Sequence, residues 1–219
     1  ADEHRSMSLA IATAAGSLGQ VVGPPVAVSL LSRMPWQSVF LFFAVAVIST
    51  ILLLPFMRVK SAASKEEIEE SMGEILKLAL RDPSFSMIFI GFFSCGYQLA
   101  FITAHFPALV TEMSSPIDST GWCGDLGIET TAALGGFAIS VIGFSNIIGT
   151  LVAGWAGKRF GKKWLLSGIY AGRSIAAAVF IMTPVSANSV LLFSFAMGFL
   201  WLATVPLTSG LVAHINGLR

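Results

Sequence analysis

Of the 219 residues, 55% are hydrophobic and only 11% charged, and with a mean hydropathy of +0.80 the chain is too apolar for a water-soluble domain. The net charge of +1 comes without a basic stripe bearing interleaved aromatics, which excludes nucleic acid as a partner. Cys95 and Cys123 show neither a CxxC nor a Cys/His spacing, so the reading assigns no metal and no cofactor.

Long apolar blocks alternate with short polar ones, and each block is long enough to cross a hydrocarbon core of roughly 30 Å. In chain order the predicted spans are Ser8–Leu31, Trp36–Met57, Ser84–Val110, Thr131–Gly157, Trp164–Thr183 and Ser189–Ala213. Strands cannot satisfy their backbone in lipid unless they close into a barrel, and the period-2 pattern of a barrel is missing. The expected fold class is therefore all-α, a polytopic transmembrane bundle of six spans. Opening on "ADEHRSMSLA" and stopping at "HINGLR" directly after an apolar block, the chain reads as a fragment of a longer protein.

Basic residues set the orientation. Arg5, then Arg58, Lys60, Lys65, Lys77 and Arg81, then Lys158, Arg159, Lys162 and Lys163, and finally Arg219 all fall on one side of six alternating spans. Glu112, Asp118, Asp125 and Glu129 fall on the other, with Arg33 as its one basic residue. The positive-inside rule makes the first side cytoplasmic.

Three segments between or within the spans carry further signals. In the first span, "GQVVGPP" sets Gly19 and Gly23 four apart ahead of Pro24 and Pro25, a small-residue face for close helix approach followed by a proline bend. The polar stretch 58–83 places Ile68, Met72, Ile75 and Ala79 on one helical face with glutamates opposite, as expected of a cytoplasmic amphipathic linker. It divides the chain into 1–57, 58–83 and 84–219. "GWAGKRFGKKWLL" closes the fourth and fifth spans through a very short cationic turn, whose glycines permit a tight reversal.

In that turn Gly154, Gly157, Arg159, Gly161, Lys162 and Lys163 resemble the loop signature of the major facilitator superfamily, and "GQVVGPP" resembles the glycine-proline motif of its fifth helix. "GFFSCGYQLAFITAHFPALVTEM" and "MGFLWLATVPLTSGLVA" are further similar to bacterial members grouped with monocarboxylate and oxalate/formate carriers. The resemblance covers nearly the whole chain and implies helices five to ten of twelve: 1–57 closes the N-terminal bundle and 84–219 supplies four helices of the C-terminal one. It also implies secondary transport by alternating access, with the remaining helices of the parent chain, membrane lipid, a small-molecule substrate and a coupled proton as partners, in a bacterial inner membrane. Two departures stand out. Lys158 occupies the signature's acidic position, and Asn146 and Thr150 stand where monocarboxylate carriers place an acid and an arginine.

Polar residues at membrane depth are candidate solute contacts, because burying an ionised group there costs roughly 2.5–3.5 kcal/mol even on insertion scales. Arg173 sits mid-span; its guanidinium either holds an anion through two parallel hydrogen bonds or is satisfied by groups of a neighbouring helix, the reading favoured by nearby Gly168 and Gly172. Tyr97, Gln98 and His105 lie on the third span, where Pro107 is expected to break the helix and free carbonyls. Histidine exchanges a proton near neutral pH, which suits coupling, although a packed imidazole is the plainer alternative. Trp201 and Thr204 of the sixth span offer a flat apolar wall and a hydroxyl, while Asn146 either contacts solute or bonds another helix.

A membrane enzyme is excluded: no acid lies within a span and no second histidine accompanies His105. Transport of a small organic anion, chiefly a monocarboxylate, is the preferred function, with drug/proton exchange or a non-transporting receptor or scaffold as alternatives.

Overall fold

A computed structural model describes residues 5–56, 80–113, 117 and 122–215, and all regular structure within them is helical. In chain order these are α1 (Arg5–Leu31), α2 (Trp36–Ser49), which tightens into a 3₁₀ segment at Thr50–Phe56, α3 (Pro83–Met113), the single turn α4 (Trp122–Asp125), α5 (Thr131–Arg159), α6 (Lys162–Met182), α7 (Ala187–Phe199) and α8 (Thr204–Ile215). Six stretches are long and apolar enough to cross a membrane, each overlapping an expected span, with α7 and α8 sharing the last. The chain is an integral, multi-pass membrane protein. Most of the expected amphipathic linker, residues 58–79 of 58–83, lies outside the described residues.

Backbone contacts divide the chain into two units. The smaller, residues 29–93, contains α2, an apolar helix with Trp36 edge-on to Phe40 at 5.8 Å and most of its large side chains exposed. In water such a helix would be insoluble; in lipid an all-round apolar surface is the ground state.

The larger unit, residues 1–28 and 94–219, is built around α5. Thr130 caps α5, its hydroxyl accepting the Ala133 N–H at 3.1 Å. More than half of the α5 span is buried (56%), against 6% for α2. Glycines explain the difference. A Cβ on Gly143 would stand 2.7 Å from Cβ of Gln20 and 2.9 Å from Val21 N, one on Gly135 would stand 3.2 Å from the Pro107 carbonyl, and one on Gly149 would collide with the backbone of Phe199. Lipid supplies no hydrophobic drive between helices, so close approach over such glycines provides the packing. Leu134, Ala138 and Ile142 of α5 then join Phe106, Phe180, Phe193 and Trp201 in one core, with the Phe180 and Phe193 rings stacked at 4.5 Å.

The structure corrects five expectations. Among the described residues nothing lies within 4 Å of a Cβ on Gly19 or Gly23, so the close approach of α1 to α5 uses glycines of α5. α1 runs on through Pro24 and Pro25; each lacks the N–H that would reach the carbonyl four residues back, at Gln20 and Val21, and Gly143 packs beside that stretch. Pro107 does not end α3, which continues to Met113; the proline packs against Gly135. The α5–α6 reversal needs no left-handed glycine: Phe160 and Gly161 are both extended, and Gly127 is the only described residue with positive φ. Cys123, on α4, is buried in the main core.

The fifth correction concerns the sixth span, expected as one helix. It breaks between Phe199 and Thr204. Pro206 explains the place, because in a continuous helix its ring would collide with the carbonyl of Leu202, four residues back. In the break Pro206 becomes the third residue of α8, where no intrahelical N–H is required.

Candidate functional site

The seven polar or aromatic candidates divide between two places. Arg173, Asn146, Trp201 and Thr204 meet at the α7–α8 break, whereas Tyr97, Gln98 and His105 lie together along α3.

At the break the backbone loses its helical partners, and side chains replace them. Arg173 on α6 is 1% exposed. Its Nε donates to the Leu200 carbonyl at 2.9 Å, Nη2 to the same oxygen at 2.7 Å and also to the Trp201 carbonyl, and Nη1 to Cys95 Sγ at 3.0 Å. The Tyr170 ring lies 5.9 Å from Cζ. Hydrogen bonds to a charged group are worth about 1.5–3 kcal/mol each, so two of them offset the insertion cost of the arginine.

Asn146 secures the other side of the break. Its Oδ1 accepts the Leu202 N–H at 2.8 Å and the Thr150 hydroxyl at 3.1 Å, while Nδ2 donates to Ser17 Oγ at 2.7 Å. Ser17 donates onward to the Thr13 carbonyl at 3.1 Å. Asn146, Thr150 and Thr204 are all fully buried, and Thr204 Oγ1 lies 3.6 Å from Cys95 Sγ. Trp201 is buried in the main core. Its indole does not line the groove described next.

On α3 the arrangement is open. Gln98 and His105 line a groove of about 300 Å³ bounded by Phe101, Ile102 and Phe106 of the same helix, Phe180 of α6 and Phe193 of α7. Apart from the two polar side chains the lining is apolar and largely aromatic. Tyr97, Phe101 and His105 follow at i, i+4 and i+8 and form a row, with ring centroids 6.3 Å and then 4.8 Å apart. Tyr97 is itself exposed and stands beside the groove. Neither the Gln98 amide nor the His105 imidazole makes a hydrogen bond among the described residues. A groove of this kind can enclose the apolar body of a small solute and orient it through two polar groups.

The cationic turn is as short as its sequence implies: Arg159 ends α5 and Lys162 opens α6, with Gly161 at the cap. Gly154 is buried on α5, and a Cβ on Gly157 would meet the Leu207 side chain at 2.8 Å, which places α8 close to this end of α5. Arg159 lies over the Trp155 ring at 4.8 Å and Lys158 is exposed.

Sequence reasoning missed Cys95 and Ser17 as partners of Arg173 and Asn146. A weak signal existed for both: each is a small polar residue inside an apolar span, where such residues bond across helices. It also missed Gly149, whose meaning depends on the break opposite it.

Residues 1–217 match the model of the Major Facilitator Superfamily. The chain is 23% identical over 223 residues to the "Uncharacterized MFS-type transporter YcxA" of Bacillus subtilis (strain 168), covering 97% of this chain and 50% of that protein. It thus spans about half the length of the curated relative it matches. No solved structure matches it significantly.

Proposed function

The chain belongs to the major facilitator superfamily, and from that premise we propose that it forms part of a secondary transporter that carries a small organic anion, chiefly a monocarboxylate, by alternating access. The protein is accordingly a transporter and not an enzyme. One observation carries the choice of site: Gln98 and His105, neither of them hydrogen-bonded among the described residues, line an otherwise apolar groove. Arg173 and Asn146, by contrast, are already bonded within the protein. In this reading the imidazole meets the carboxylate and exchanges the coupled proton, Gln98 donates a second hydrogen bond, and the aromatic row covers the apolar part of the solute. Arg173 contributes structure and not solute binding. The cationic turns lie on the cytoplasmic side of a bacterial inner membrane, and the stretch 58–83 links the two bundles.

Uptake by the intact protein in proteoliposomes tests this. Gln98→Leu and His105→Ala are each expected to lower monocarboxylate uptake about tenfold, the equivalent of one lost charge-assisted hydrogen bond. Unchanged uptake in both removes the groove as the solute site.

The largely aromatic lining supports a second reading, exchange of an apolar drug for a proton. Inhibition of carboxylate uptake by lipophilic cations, with no inhibition by other carboxylates, would favour it.

A further inference from the structure

A buried cation at a broken helix invites comparison with the ions that such breaks hold in other membrane proteins. Discontinuous transmembrane helices expose carbonyls and the negative end of a half-helix, and in transporters these commonly coordinate a coupling metal cation. The α7–α8 break has both features. α7 ends at Phe199, and the carbonyls of Leu200 and Trp201 point at one guanidinium.

The acceptor set is nevertheless wrong for a hard metal ion. Two carbonyl oxygens and a sulfur face Arg173, whereas hard cations take about six or more oxygens. Of the other oxygens at the break, Asn146 Oδ1 is already taken by the Leu202 N–H and the Thr150 hydroxyl, and Thr204 Oγ1 lies against Cys95 Sγ at 3.6 Å. A planar fork of N–H donors matches what remains: Nε and Nη2 share one carbonyl, Nη2 reaches the second, and Nη1 turns to the sulfur, with the Tyr170 ring 5.9 Å from Cζ.

We infer that the break is a guanidinium receptor whose resident ligand is the protein's own Arg173, and that this resident occupies the place of a metal ion, so that no sodium or potassium binds there. Gly172, the neighbour of Arg173, helps α6 come close enough: a Cβ there would meet Leu200 Cδ1 at 3.0 Å. The ligand class follows from the donors required, a guanidinium and not an ammonium or an alkali metal. Solute binding on α3 is a separate matter, and stability reports on the receptor without reference to transport.

Thermal unfolding of the intact protein in detergent tests the inference. Arg173→Ala lowers Tm, and millimolar ethylguanidinium, which restores the head group lost with the side chain, raises the Tm of the variant but not that of the wild type. Sodium or potassium at equal ionic strength has no such effect. Equal recovery with sodium, or none with ethylguanidinium, would overturn the proposal. Should Arg173→Ala not fold, two measurements still decide. Arg173→Lys keeps the charge but not the fork, so amide exchange at Trp201, Leu202 and Ala203 should be faster in it than in the wild type; identical protection would show that a point charge suffices. Wild-type Tm should be the same in sodium, potassium and choline salts, and a sodium-specific rise abolished by Cys95→Ala would place a metal at the break.

Discussion

The α7–α8 break and the aromatic row of α3 are both polar interruptions of apolar spans, yet they are resolved in opposite ways. At the break the freed backbone groups have found side-chain partners: Arg173 holds the carbonyls of Leu200 and Trp201, and Asn146 holds the Leu202 N–H. Along α3, Gln98 and His105 make no hydrogen bond among the described residues and line a groove. Polarity inside a span therefore has two meanings. Where it is bonded it pins helices together, and where it is unbonded at a cavity it is available to a ligand.

Substitutions can break that comparison or sharpen it. The largest effect is expected at Gly149, where any side chain meets the backbone of Phe199. Gly149→Leu should prevent recovery of folded protein altogether, well beyond the roughly 1–3 kcal/mol of ordinary overpacking; size-exclusion profiles after detergent extraction check this. Next comes Asn146→Leu, which takes a partner from Ser17, Thr150 and the Leu202 N–H at once. Bonds between membrane helices average about 0.6 kcal/mol, so a loss of about 1–2 kcal/mol is expected in denaturant titrations with no specific change in KM.

His105→Ala should show the reverse pattern. Its imidazole is exposed and contacts Phe101 alone among the described rings, so stability should move by no more than about 0.5 kcal/mol while uptake falls. A stability loss as large as that of Asn146→Leu would erase the distinction between the two regions. The smallest effect belongs to Gly19→Ala. With open space around its Cβ it should be neutral or stabilising by up to about 1 kcal/mol, the helix-propensity gain. A clear destabilisation would mean that another helix packs on this face.

The spans were legible in the sequence because membrane insertion depends on local hydropathy, and each span carries that signal within about twenty residues. Their interiors were less legible. Pro206 marked the break in the sixth span, but its location only becomes evident from the carbonyl four residues back, whereas Pro24, Pro25 and Pro107 sit in helices that continue. Proline alone does not distinguish the two outcomes; the partners available to the freed carbonyls do. Gly19 and Gly23 formed the most visible glycine motif and make no close contact, while Gly149 and Gly198 make the tightest ones. A glycine's role is set by the helix opposite, which lies far away in sequence. For Arg173 the sequence left two fates open, anion binding and satisfaction by a neighbour. The neighbours it bonds, Leu200, Trp201 and Cys95, are 27, 28 and 78 residues away, beyond the reach of any local pattern.

Thiol labelling of the intact protein in membranes gives the most direct test, since both native cysteines are buried. Cysteines placed at Gln98 and His105 should react with a small, charged, water-borne thiol reagent and be protected by the transported anion, whereas cysteines at Asn146 and Thr150 should stay unlabelled. Inert cysteines at Gln98 and His105 alongside reactive ones at Asn146 and Thr150 would mean that water and solute run through the seam of α5, contradicting the assignment of the two regions.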